Sequence, residues 1–283
     1  MFRPYPQTCL ASRARKPGTF AQHAPGQNHL LAALPDEAYE RLLPGLEPVA
    51  LPLGWTVHGA GERQKHLYFL TAGIVSAFYL TENGASSQFA LTGNEGVIGV
   101  ASFLGGDSMP SQAVVLSPGH AYRLGGALLR NEFEHGGPLA RLLLRYTMAL
   151  ITQVGQSAVC NRHHSLEQHV CYWILSSLDR LPLNELPMTQ QLMADMLGVR
   201  RAGVAEAVGK LQKAGLIHCS RGRIAVLDRS ELEARVCECY AVVRRQYERL
   251  LPEYQVEHIA PTPQSATSWP RYGTAPELRA RHW

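Results

Sequence analysis

The sequence predicts an α+β chain, with strands in its first half and helices in its second. Three observations predict it. Between Val49 and Leu124, short alternating apolar runs are separated by turn residues at about ten-residue spacing. From Leu139 to Val154, apolar residues recur instead at spacings of three and four. After Met188, two short helical patterns flank a single glycine, and two short strand patterns follow. Of the 283 residues, 46% are hydrophobic and 18% charged. That supports one large folded unit or two ordinary ones and excludes a disordered chain. No apolar window reaches the roughly 20 residues of a membrane-spanning helix. Six cysteines are too few for a disulfide scaffold and imply a reduced, cytoplasmic setting.

The net charge of +4 is unevenly placed. Residues 1–29 carry Arg3, Arg13, Arg15 and Lys16 and no acid. Residues 30–159 carry −3, and residues 160–250 carry +3. Within the last of these, residues 189–226 alone carry +4. A near-neutral average therefore hides an acidic middle between two basic flanks. Residues 1–27 have four prolines and no period, and read as a disordered basic tail. Residues 251–283 are again Pro-rich and read as a second tail.

The ordered part opens with helical spacing at Leu30, Leu31, Leu34, Ala38 and Leu42. Strand patterns follow at Val49–Leu53, His66–Leu70 and Ile74–Leu80. Gly54, Gly59-Ala60-Gly61, Ala72-Gly73, Asn83-Gly84 and Pro118-Gly119 read as turns between strands of a barrel or sandwich. Gly136-Gly137-Pro138 then starts a long helix. Its stripe of Leu139, Leu143, Tyr146, Leu150 and Val154 is expected to form a dimer seam in the manner of a coiled coil; the alternative is that it packs on its own barrel. Ser165 and Gln168 form a capping-box pattern that starts another helix, with Val170, Trp173, Ile174 and Leu178 on one face.

The most specific signal is residues 189–217, TQQLMADMLGVRRAGVAEAVGKLQKAGLI. Thr189 caps a short helix facing inward through Leu192, Met193, Met196 and Leu197. Gly198 supplies the positive φ of a sharp turn. A second helix carries Val204, Val208 and Leu211 inward and stops at Gly215. Ala194, Gly198 and Val204 therefore supply the small, turning and buried residues that a helix-turn-helix requires. Leu216-Ile217 and Ile224-Ala225-Val226 can pair as strands around the basic loop Ser220-Arg221-Gly222-Arg223. This combination is a winged helix. Its chemistry is neutralisation of phosphates and reading of base edges. The candidate DNA contacts are Thr189, Gln190, Arg200, Arg201, Glu206, Lys210, Arg221 and Arg223. Arg200 or Arg201 can fork onto a guanine, Glu206 can accept from a cytosine amino group, and Arg221 and Arg223 suit phosphates.

Other candidates carry less. Cys237-Glu238-Cys239 falls in an expected helix over Glu231–Leu250, where residues two apart point to opposite sides and cannot share a metal. These thiols read as core, with no metal site expected; Cys219 or His218 is the alternative company for one of them. His163-His164 adjoins the expected hinge between domains and reads as helix-start polar residues, with a pH or metal switch as the alternative. His58, His66 and His120 are the formal haem ligands and read as ordinary histidines. The strand block lacks the clustered cysteines of an iron–sulfur site. No local catalytic signature occurs, so the chain is expected not to be an enzyme.

This order of parts resembles the CRP/FNR superfamily of transcription regulators, over about residues 28–228 and most specifically at Met188–Val226. HLYFLTAGIVSAFYL and GNEGVIGVASFLGG at 93–106 carry the resemblance in the first half. It implies an N-terminal β-roll (jelly-roll-like) sensor domain, a long dimerisation helix and a C-terminal winged helix-turn-helix. The corresponding boundaries are 28–135, 136–160 and 161–250. It further implies a homodimer on a two-fold-related DNA site, with RNA polymerase as a partner if the protein activates. Arg201 matches the family's Arg at the start of the recognition helix; Ala202 and Glu206 depart from its pattern. The expected effector pocket includes Gly96, Val97 and Ser111. There the Gly-Glu and Arg-Ser pairs of cyclic-AMP binders are replaced by Gly96-Val97 and Pro110-Ser111. The effector is therefore expected to be something other than cyclic AMP, with no cofactor. Two alternatives stand: a constitutive regulator whose roll only scaffolds the dimer, and a non-DNA sensor or enzyme with a decayed winged helix.

Overall fold

A computed structural model describes residues 24–251, apart from positions 83, 183 and 221. Most of both expected tails, Asn83 of the expected hairpin turn and Arg221 of the wing lie outside the described residues. Pro25–Gln27 forms a 3₁₀ turn. The opening leucines form two short helices, α1 (His29–Ala32) and α2 (Asp36–Leu42). Pro35 separates them because its ring cannot continue α1. The buried Asn28 side chain accepts from Leu30 and Leu31 N–H and donates to the carbonyls of Leu70 and Gly96. One polar residue thereby caps α1 and fastens it to the sheet.

Six strands form one antiparallel sheet: β1 (Leu46–Leu51), β2 (Thr56–His58), β3 (His66–Leu80), β4 (Ser86–Thr92), β5 (Val97–Ile98) and β6 (Gln112–Gly125). The order is β1-β6-β3-β4, with β2 on β6 and β5 on β3. The turns expected at Ala72-Gly73 and Pro118-Gly119 are instead bulges inside the long strands β3 and β6. The register slips between Leu70 and Val75, opposite Ser117–His120. A Cβ at Gly119 would sit 2.0 Å from the Ala72 carbonyl oxygen, so the two backbones approach there only because that residue is glycine. Bulges increase local twist and let two long strands curl around Leu51, Leu70, Val75, Ile98, Ala113, Val115 and Ala121.

Two short helices, α3 (Ala101–Leu104) and α4 (Gly126–Glu134), pack on the roll before the long helix α5 (Pro138–His163). Then come α6 (Leu166–Leu178), β7 (Glu185–Pro187), α7 (Gln190–Leu197) and α8 (Arg201–Lys213). The strands β8 (Ile217–Ser220) and β9 (Arg223–Val226) follow, and β7 joins them as a third strand. Ser165 closes the capping box with Gln168 as the sequence implies.

The helix expected over Glu231–Leu250 is two helices, α9 (Arg229–Arg235) and α10 (Glu238–Leu250). Val236 and Cys237 between them are extended, with φ/ψ of −69°/154° and −72°/159°. No glycine or proline announces this break. Tertiary packing imposes it: Cys237 and Cys239 are drawn against Cys160 of α5 while Leu232 of α9 is buried under α6.

The roll and the winged helix share one core. Ile74, Phe78, Leu91 and Leu116 of the roll pack with Trp173 of α6 and Met196 of α7. Trp173 Nε1 donates to Gln88 Oε1 at 2.8 Å. A buried ion pair crosses the same boundary, Arg180 Nε to Glu95 Oε1 at 2.7 Å, with side chains 4% and 0% exposed. Glu95 Oε2 accepts from Gly93 N–H, and Arg180 Nη1 donates to the Ser176 carbonyl. Removing one partner strands the other charge away from water, the costly case. Arg180→Ala is expected to destabilise the chain by about 3–5 kcal/mol in chemical unfolding. A loss under about 1 kcal/mol would mean that the pair is effectively solvated.

Candidate DNA-binding interface

Thr189 Oγ1 accepts from Leu192 N–H at 3.1 Å and starts α7. Ala194 is 1% exposed, Gly198 is left-handed at φ 67° and ψ 31°, and Val204 is fully buried. Met193, Met196, Val208 and Leu211 complete the inward faces, with Leu192 and Leu197 half-buried beside them. The small-turn-buried spacing read from the sequence thus describes the geometry.

Arg200 is the N-cap of α8 and Arg201 its first residue; both are exposed. The first turn of α8 holds no acid. Two guanidinium groups therefore stand beside a helix N-terminus whose free N–H groups also favour anions. Thr189 is exposed and Gln190 half-buried at the adjacent N-terminus of α7. Glu206 is exposed on α8 and pairs with Lys210 at 3.0 Å, which raises the ammonium's pKa through that hydrogen bond. Such exposed i,i+4 pairs are weakly held and screened by solvent, so neither side chain is fixed in this pairing. In the wing, Arg223 lies 3.6 Å from Glu185 of β7. Met188 N–H donates to the Gly222 carbonyl, which sets the start of α7 beside the wing. Arg221 lies outside the described residues.

The turn is also docked. Ser86 Oγ of β4 donates to the Asp195 carbonyl, and a Cβ at Gly198 would sit 2.4 Å from the Ser86 carbonyl oxygen. Nothing in the local sequence signals this contact, because Ser86 and Asp195 lie 109 residues apart.

The other expected sites fare differently. Gly96 and Val97 are both buried. A Cβ at Gly96 would meet Tyr146 Oη at 2.6 Å, and Tyr146 Oη donates to the Val97 carbonyl at 3.1 Å. Burial pushes that phenol up to about 12. Ser111 is 1% exposed on a different stretch, at the start of β6. Tyr146 therefore occupies the space beside Gly96 and Val97. A small open cleft of about 40 Å³ lies elsewhere, between β4, α5, α6 and α7, lined by Gln88, Gln153, His169, Trp173 and Met196 among others.

The expected dimer seam is also corrected. Leu139, Leu143 and Tyr146 are 1%, 0% and 0% exposed because the roll and α10 cover them. Leu150 is half-buried against the same core. Tyr247 of α10 donates to Gln153 Oε1, and Gln153 Nε2 donates to the Leu91 carbonyl. Of the five expected residues, Val154 alone is exposed. The outward stripe of α5 is Leu144, Met148, Ile151 and Val159, 50%, 54%, 57% and 42% exposed.

Of the haem candidates, burial holds His58 and His66 below the usual imidazole range. His218 and Cys219 lie on β8. Cys237 and Cys239 meet Cys160 and His164 instead, contrary to the expectation that they point apart. Cys237 is an extended N-cap rather than a residue inside a helix, so the helical rotation does not separate them.

Comparison with known proteins now bears on this geometry. Residues 48–135 match the model of the cyclic nucleotide-binding domain, and residues 168–235 match that of the Crp-like helix-turn-helix domain. The chain belongs to the CRP/FNR superfamily. It is a transcriptional regulator with a helix-turn-helix DNA-binding domain. Three solved structures show the fold of this CRP/FNR chain. FixK2 from Bradyrhizobium japonicum is 18% identical, with a TM-score of 0.58 over 68% of this chain and 98% of its own. The c-di-GMP responsive global regulator CLP of Xanthomonas campestris is 17% identical, with a TM-score of 0.55 over 68% and 99%. A CRP-family transcriptional regulator from Thermus thermophilus is 20% identical, with a TM-score of 0.55 over 67% and 95%. No curated protein sequence matches. Among the described residues, no helix of this CRP/FNR chain is long and apolar enough to cross a membrane.

The docked turn yields a test. Gly198→Ala puts an ordinary residue at a left-handed position, at about 1–2 kcal/mol, and drives its methyl group into the Ser86 carbonyl. Thermal unfolding is expected to fall accordingly. An unchanged melt would show that the turn is not held this way.

Proposed function

We propose that this chain acts as a homodimer on a two-fold-related DNA site, with α8 of each subunit in a major groove. The observation that carries the reading is the pair Arg200 and Arg201, exposed at an acid-free helix N-terminus just past the Gly198 turn. In this reading one of them forks onto a guanine, and Thr189, Gln190, Lys210 and Arg223 hold phosphates or sugars. Ala202 and Gly209 on α8 present little bulk, so backbone and base edges can approach closely. Glu206 reads a cytosine amino group once it releases Lys210.

The dimer forms through Leu144, Met148, Ile151 and Val159. Spacings of four and three place the first three on one face of α5, and Gly155 lets the two helices come close between Ile151 and Val159. An effector other than cyclic AMP enters the cleft between β4, α5, α6 and α7. Its lining includes Met196 and Leu197, on the helix that leads into the recognition turn. An effector there can prefer one seating of the winged helix over another, which is all that switching requires. The second reading is a regulator whose roll only scaffolds the dimer. The ring of Tyr146 packed over Gly96 favours it. A small molecule that co-purifies and changes DNA affinity separates the two.

Arg201→Ala is expected to weaken binding to DNA enriched from a random library by about 1–3 kcal/mol at fixed salt, measured by fluorescence anisotropy. If neither protein binds DNA and salt has no effect, the reading fails. Ile151→Lys is expected to give monomers in sedimentation with the melt nearly unchanged. Leu143→Ala is expected to cost about 2–5 kcal/mol of stability without changing subunit number. The opposite pattern would return the seam to the inner face.

A further inference from the structure

Four metal-ligating side chains meet where α5 ends and α10 begins. The ligand atoms of Cys160, His164, Cys237 and Cys239 all lie within 4.8 Å of one another. Cys160 Sγ is 3.6 Å from Cys237 Sγ, and Cys239 Sγ is 3.6 Å from His164 Nδ1. Ligands on a tetrahedral zinc, at about 2.3 Å for sulfur and 2.0–2.1 Å for nitrogen, stand roughly 3.5–3.8 Å apart. The two separations of 3.6 Å are of that size, and the remaining ones lie within 4.8 Å.

The surroundings are those of a closed site. Cys160, Cys237 and Cys239 are 6%, 2% and 0% exposed, and Tyr172 and Val236 pack against them. Apolar packing accounts for buried thiols but not for an imidazole turned into them. His164 Nε2 lies 3.2 Å from Glu238 Oε2, on the side away from Cys239. A carboxylate on the far nitrogen is the arrangement that orients a metal-bound histidine. The Cys160 carbonyl meets both the His164 N–H and His169 Nε2, which fixes the end of α5.

We propose that Cys160, His164, Cys237 and Cys239 form a four-ligand site for a thiophilic divalent cation, zinc by its chemistry. Three sulfurs and one imidazole exclude magnesium and calcium, which prefer oxygen. Four protein ligands leave no open position, so the site is structural rather than catalytic. It joins the end of α5 to the start of α10 and includes His164, which separates α5 from the capping residue of α6. Loading therefore fixes the angle at which the winged helix leaves the long helix. This inference is independent of the DNA contacts proposed above.

The test uses the full chain, purified under reducing conditions without chelator. Elemental analysis is expected to find about one zinc per chain. Chelation is expected to release it and to raise the number of reactive thiols. Titration of the stripped protein with Co²⁺ alone is expected to give the strong visible bands of tetrahedral thiolate coordination, abolished by Zn²⁺. Cys239→Ser is expected to lose the metal. Glu238→Gln, on a side chain 73% exposed, keeps the fold and is expected to bind about 10- to 100-fold more weakly. If Cys239→Ser fails to fold, the Glu238 variant and the wild-type Co²⁺ spectrum decide. Reduced protein without zinc and without Co²⁺ bands overturns the proposal. So does a metal-free chain with Cys160 and Cys237 joined in a disulfide, or full metal retention by a folded Cys239→Ser.

Discussion

The inner face of α5 is the constraint on which the rest depends. Leu139, Leu142, Leu143, Tyr146, Ala149 and Gln153 are all buried within the chain. The roll takes them on one side and α10 on the other. Once that face is covered, the remaining placements follow. The other face of α5 is left exposed, α10 turns back along α5, and α6 starts just past His164. Gln153 shows how tightly this is held, because its amide serves the Leu91 carbonyl and the Tyr247 hydroxyl at once. A buried amide satisfied at both ends specifies one register of three elements.

What was legible in the sequence was what short-range chemistry decides. Gly198, Ala194 and Val204 announce the helix-turn-helix because a left-handed turn and a close helix crossing leave few choices. The capping box at Ser165 is legible for the same reason. The orientation of α5 was not, because two interleaved sets satisfy the same period. Leu139, Leu143, Tyr146 and Leu150 form one, and Leu144, Met148 and Ile151 form the other. The roll and α10, the latter about a hundred residues further on, together determine which is inside. The break at Val236–Cys237 was hidden likewise, since its cause is a contact with Cys160. Glycines that looked like turns at 73 and 119 mark a place where two strands crowd each other.

The boundary between roll and winged helix is continuous rather than a loose hinge. Apolar packing, the Trp173–Gln88 hydrogen bond and the Glu95–Arg180 pair all cross it. Charge buried at such a boundary is poor at adding stability but good at admitting few alternatives, since every other seating must also satisfy both groups. A domain held this way moves between discrete positions or not at all.

Gly198 meets two requirements that are independent in principle. The turn needs a residue that tolerates positive φ, and asparagine or aspartate can do that locally. The approach of Ser86 needs a residue with no Cβ at all. Together they leave glycine alone. The position thus ties the turn of the helix-turn-helix to the edge of the roll. No substitution can repair the turn without breaching the boundary, so the two halves of this chain are not free to diverge separately at that residue.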